Sequence, residues 1–118
     1  MAPFSSHGNQ RVLITVHDHD ISPRFDYTLE VLIVEKDGEG QIVDKKNLLL
    51  SEPSAEEICN LVQTENVQAV ICGGIEADYY QYLTWKKVLV FDNIMGPVSR
   101  VLEAWTEGVL KEDTIFRD

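Results

Sequence analysis

Two short runs, Val67–Cys72 and Val88–Phe91, are apolar at nearly every position and are separated by a stretch of helical character from Glu76 to about Lys86. A strand apolar at successive positions has both faces covered, and two such strands joined through a helix make a parallel βαβ unit. This feature constrains the chain most. The second half must build a sheet with helices on both sides, and the two runs are expected as parallel neighbours of a central first strand. In the intervening helix Tyr79, Tyr80 and Leu83 face inward. A last helix from about Pro97, with proline at a tolerated first-turn position, places Val98, Val101, Leu102 and Trp105 at i, i+3, i+4 and i+7 and ends near Gly108.

The first half runs on a period of two. Val12, Ile14 and Val16 alternate with Leu13 and Thr15 until the polar run His17-Asp18-His19-Asp20 stops the strand. A second strand is expected over Tyr27–Glu35, with Tyr27, Leu29, Val31 and Ile33 on one face, and a third over Gln41–Leu50. Asp37-Gly38 between them predicts a type I′ hairpin turn, so the first three strands form an antiparallel meander. A helix then starts at Pro53-Ser54-Ala55-Glu56-Glu57, where Ser54 and Glu57 form a capping box and Ala55, Ile58, Cys59 and Val62 share a stripe. The fold class is α/β: a five-stranded mixed sheet with three helices, in the order β-β-β-α-β-α-β-α.

At 118 residues the chain suits one domain, read as residues 11–118 behind a disordered tail over residues 1–10. Ten basic against 20 acidic side chains leave a net charge of −10, with basic pairs only at Lys45-Lys46 and Lys86-Lys87. That balance repels phosphate, so neither nucleic acid nor an anionic membrane is expected as a partner. No apolar run approaches the ~20 residues of a membrane span. The N-terminal stretch lacks a basic start and an apolar middle, and Cys59 and Cys72 are too few for a disulfide framework, so a cytoplasmic protein with free thiols is expected.

Chemistry is expected where the parallel strands end, because loops there open onto a crevice. Three loops converge on it: His17 to Arg24, Cys72 to Glu76 and Asp92 to Gly96. His17 and His19, one residue apart, project to the same side of an extended segment and can ligate a soft or borderline metal, or be two solvated loop histidines. Cys72 at the crevice mouth is either a thiolate ligand or a buried structural thiol, while Cys59 belongs to the core. Gly73-Gly74 either exposes amides to an anionic ligand or makes a plain turn. Arg24, behind Ser22-Pro23, can compensate negative charge on a ligand or pair with Asp26 or Asp20. Asp18, Asp20 and Asp26 can bind a divalent cation for phosphodiester hydrolysis, although no EF-hand spacing accompanies them. No nucleophile elbow, phosphate-binding loop or dinucleotide fingerprint is present.

The segments Ile21-Ser22-Pro23-Arg24-Phe25-Asp26, Val67–Ile75 and Gly96–Trp105, in this order and spacing, resemble the dinitrogenase iron-molybdenum cofactor family over about residues 11–111. The resemblance implies a ribonuclease H-like mixed sheet with three helices and a role in carrying or binding nitrogenase cofactor precursors or other metal-sulfur clusters, without catalysis. Its Ser-x-His-Phe-Gly segment falls on Ser22–Asp26, so Arg24 stands where some members have a histidine serving cluster binding. Glu76 replaces the usual third glycine after Gly73-Gly74, and no His-rich tail follows Leu110. The expected function is a carrier for an iron-sulfur or molybdenum-containing cluster, working with a donor or acceptor protein. His17, His19 and Cys72 are its candidate metal ligands, and Arg24, Gly73 and Gly74 its candidate cofactor contacts. The alternative is a cofactor-free interaction or regulatory module on the same fold.

Overall fold

A computed structural model describes residues 8–117. The expected loose tail therefore falls, for residues 1–7, outside the described residues, and Gln10 already belongs to the first strand. The strands are β1 (Gln10–His17), β2 (Asp20–Ile21), β3 (Glu30–Lys36), β4 (Ile42–Leu49), β5 (Ala69–Ile71) and β6 (Leu89–Phe91), and the helices are α1 (Ala55–Thr64), α2 (Ala77–Trp85) and α3 (Val98–Thr106). The main sheet runs β4-β3-β1-β5-β6, with the two-residue β2 paired to the end of β1 as a sixth strand that hydrophobic pattern alone is too short to reveal.

β1 is central, antiparallel to β3 and parallel to β5. β6 is parallel too, but it pairs with β5 and so lies one strand further out than a direct neighbour of β1. That edge position explains Leu89, which is 59% exposed despite sitting in an apolar run. Successive side chains of β1 enter opposite cores, as strand geometry requires. Val12, Ile14 and Val16 join Ile71, Val101 and Trp105 under α3, while Leu13 meets Ile58, Val62, Val70 and Leu83 under α1 and α2. Most residues of β4, the opposite edge, are exposed.

Local chemistry sets the joints. Ser54 caps α1 by accepting from the Glu57 amide at 3.1 Å. The β3–β4 hairpin departs from the expected type I′ turn. The Asp37 amide donates to the Gln41 carbonyl, the Gly40 amide to the Asp37 carbonyl, and positive φ occurs at Gly40 (86°) instead of at Asp37 and Gly38. This is a three-residue loop closed by a left-handed glycine, which the Asp37 carboxylate reinforces by accepting from the Glu39 and Gln41 amides at 2.9 Å. Tyr27 and Leu29, expected in the second strand, lie before it and are exposed. Phe25, fully buried against Tyr79, draws the chain into a 3-10 turn over Phe25–Tyr27, so the strand begins only at Glu30.

Candidate functional site

The three expected loops do meet, and backbone hydrogen bonds hold them together. The Phe25 amide donates to the Gly74 carbonyl and the Gly74 amide to the Pro23 carbonyl, both at 2.8 Å, while the Ile21 amide reaches the Gly96 carbonyl at 3.0 Å. The Asn93 amide donates to the Gly73 carbonyl and the Ile94 amide to the Cys72 carbonyl. A cavity of about 530 Å³ opens between them, with His17, Asp20, Gly73, Gly74, Asn93 and Met95 among its lining residues.

The two histidines part company. Asp18 adopts a left-handed φ of 58° and folds the polar run into a hairpin in which His17 pairs with Asp20, so the alternation of an extended segment stops at His17. His17 stays on the cavity wall, with its Nε2 3.7 Å from Asp18 Oδ2 and its side chain 74% exposed. His19 instead lines a separate groove of about 820 Å³ beside Lys45, Asn47 and Ser99, and its carbonyl accepts from the Val98 amide that opens α3.

Cys72 is fully buried in the core under α1 and α2. Burial first, and the nearby Asp92 carboxylate second, push its thiol well above the ordinary range, so it stays protonated and contributes chiefly its backbone. Arg24 forms a bidentate pair with Asp26, Nε to Oδ1 at 3.1 Å and Nη2 to Oδ2 at 2.8 Å, and its guanidinium lies 4.3 Å from the centre of the Tyr27 ring. The hydrogen bond to Asp26, then its charge, raise the Arg24 pKa further above its ordinary value. Asp26 is thereby committed to Arg24, and among the described residues no group of three or more His, Cys, Asp or Glu side chains is arranged to hold a metal ion.

Gly73 and Gly74 differ in role. Neither has a positive φ, so turn conformation does not demand glycine at either position. A Cβ on Gly73 would lie 2.5 Å from the Ser22 carbonyl oxygen and 2.6 Å from that of Pro23, so only hydrogen fits where the two loops touch. At Gly74 the nearest atom would be 3.5 Å away, and its amide is already taken by Pro23.

Two contributors escaped the sequence reading. Met95, 58% exposed, is among the residues lining the cavity; the loop carrying it is legible in the sequence, but nothing there marks its methionine as part of the wall. Residues 113–116 strap that same loop: the Met95 amide donates to Thr114, the Phe116 amide to Met95, and Phe116 covers Gly96, whose φ is 125°. The strap depends on contacts about 20 residues apart, with no local pattern to announce it.

Residues 10–108 match the model of a family described as dinitrogenase iron-molybdenum cofactor. None of the curated proteins is similar enough to match. Among solved structures, the crystal structure of PH0822 is similar at 20% identity with a TM-score of 0.79, covering 88% of this chain and 95% of its own. A Methanocaldococcus jannaschii protein provisionally called a dinitrogenase is 26% identical with a TM-score of 0.72, covering 87% and 93%. A Thermotoga protein provisionally called a NifB protein is 19% identical with a TM-score of 0.62, covering 92% and 98%. The first and last of these speak for the fold alone. Together they support the α/β architecture with a mixed sheet and three helices.

Proposed function

We propose, since this chain belongs to the dinitrogenase iron-molybdenum cofactor family, that it is a non-catalytic binding protein. Its cargo is a metal-sulfur or molybdenum-containing cluster, or a precursor of one, received in the crevice at the ends of β1, β5 and β6 and passed between a donor and an acceptor protein. The observation that supports this reading is the cavity of about 530 Å³ whose lining residues include one borderline and one soft donor, His17 and Met95. Such donors suit iron, copper and thiophilic clusters. Two of them cannot saturate a multi-iron cluster, which favours a carrier that releases its load over a resident site. On this reading His17 is the principal ligand, Gly73 and Gly74 form the wall, Cys72 and Arg24 act through the loops they stabilise, and His19 contributes only its backbone carbonyl to the start of α3.

The test is anaerobic titration of the protein with iron-molybdenum cofactor extracted from a dinitrogenase, read by visible absorption that co-elutes on gel filtration. His17→Ala and Met95→Ala should each weaken retention about tenfold or more, about 1.4 kcal/mol, while His19→Ala should leave it unchanged. Absence of any co-eluting chromophore with the wild type, or equal loss in His19→Ala, overturns the reading.

A cofactor-free interaction module is the second reading. It is favoured by Arg24, held by Asp26 and Tyr27 instead of being presented to the cavity, and by the buried Cys72 thiol. Protein isolated anaerobically from its native host that is colourless and free of iron, molybdenum and copper on elemental analysis would decide for it.

A further inference from the structure

Away from the crevice, α1 and α2 enclose a groove of about 280 Å³ lined by Glu56, Cys59, Asn60, Asp78, Tyr79 and Tyr82. Its charged side chains are both acidic, and among the described residues neither Glu56 nor Asp78 takes part in an ion pair. Trp85 lies three residues beyond Tyr82 on α2, at the margin of the groove, with ring centroids 6.5 Å apart. It is 74% exposed, an unusual position for so large an apolar surface. Tryptophan and tyrosine on a surface are characteristic anchors of protein–protein contacts, being large, rigid and amphipathic.

These rings already hold a cation. The Lys86 ammonium lies 5.2 Å from the centre of the Trp85 ring and 5.8 Å from that of Tyr82. Both distances fall within the range at which the negative face of an aromatic ring attracts positive charge. The field in the groove has the same sign. The Tyr79 phenol is pushed up by burial and then by the carboxylates of Glu56 and Glu76. A neutral apolar occupant would leave the two carboxylates unanswered, and an acidic one would be repelled by them and by the net charge of −10.

We propose that the α1–α2 groove is a docking surface for a basic segment of a partner protein, whose Arg or Lys side chain enters between Glu56 and Asp78 and lies against Tyr82 and Trp85. The partner's cation takes the place that Lys86 now occupies on the rings. Apolar side chains flanking that cation cover Trp85. The surface belongs to the helical face over α1 and α2, whereas the cavity is formed by strand-end loops, so this inference does not depend on the cargo reading.

The chain contains two tryptophans, and Trp105 is buried at 5% exposure, so acrylamide quenching of fluorescence reads Trp85. The probe is a ten-residue peptide alternating arginine with leucine, compared with its glutamate–leucine counterpart. The arginine peptide should protect Trp85 from quenching and the glutamate peptide should not. The double substitution Glu56→Gln, Asp78→Asn should weaken binding about tenfold, since two exposed charge pairs are lost. Glu39→Gln with Glu107→Gln removes the same charge at the β3–β4 hairpin and the end of α3, and should change affinity less than twofold. Trp85→Ala, followed by peptide anisotropy and with its melting temperature checked against the wild type, should also weaken binding about tenfold. Equal weakening by the two double variants, showing only diffuse attraction, or an arginine peptide that leaves Trp85 quenchable, overturns the proposal.

Discussion

Replacing Gly73 by alanine places a methyl group 2.5 Å from the Ser22 carbonyl oxygen, 2.6 Å from the Pro23 oxygen and 2.8 Å from the Pro23 carbonyl carbon. All three are backbone atoms, so no side chain can rotate aside. Ordinary contact begins near 3.4 Å, and the Ser22–Pro23 segment must therefore retreat by roughly 0.9 Å. That segment is tied to the glycine loop by the 2.8 Å bonds between Pro23 and Gly74 and between Gly74 and Phe25. Overpacking costs about 1–3 kcal/mol, and weakening one of those bonds adds about 1 kcal/mol, for a loss of about 2–4 kcal/mol. With an unfolding entropy of roughly 2.1 cal/mol/K per residue, a chain of this length loses about 4 °C per kcal/mol. The melting temperature of Gly73→Ala, followed by circular dichroism, should fall by ~8–16 °C. Gly74→Ala is the control: its methyl meets nothing closer than 3.5 Å, and the stiffer unfolded chain should leave stability unchanged or raise it by ~0.4–1 kcal/mol. If the two variants melt together, contact between the loops is not what reserves position 73 for glycine.

Burial, then Glu56, pushes the Cys59 thiol up to about 11 from an ordinary 9.0, so the fold favours the protonated form. The stability this gives is fully present below pH 9 and is lost as pH rises from 9 to 11. Urea melts across that window should show a slope flatter in Cys59→Ala than in the wild type by about 1 kcal/mol per pH unit; parallel slopes would contradict the assignment. Phe116→Ala should remove the apolar contact that seats the strap on Gly96, costing about 1–2 kcal/mol by urea denaturation. It should also speed amide exchange at Met95, whose hydrogen bond to Thr114 closes the strap, and unchanged protection there would show that Phe116 does not hold it. Ser54→Ala should cost ~1 kcal/mol through the lost bond to the Glu57 amide, and Ser54→Asp should restore it.

Sequence by itself determined whatever depends on neighbours a few residues apart. The apolar runs of β1, β5 and β6, the stripe of α3 through Val98, Val101, Leu102 and Trp105 and the Ser54 cap are local patterns. They fixed the mixed sheet, the central place of β1 and the strand end where three loops meet. Tertiary structure decided what each candidate side chain does there, because that depends on partners distant in the chain or on a single backbone angle. The left-handed turn at Asp18 separates His19 from His17, an outcome that spacing in an extended strand does not foretell. Cys72 reads alike as a ligand or as core until Phe25 and α2 are seen to bury it. Gly73 reads alike as an anion cradle or as a turn until the Ser22–Pro23 backbone is found against it, a contact about 50 residues away in sequence. Met95 joins the cavity for the same reason. A period of two or 3.6 states which face a residue occupies, whereas what stands opposite that face is set by packing.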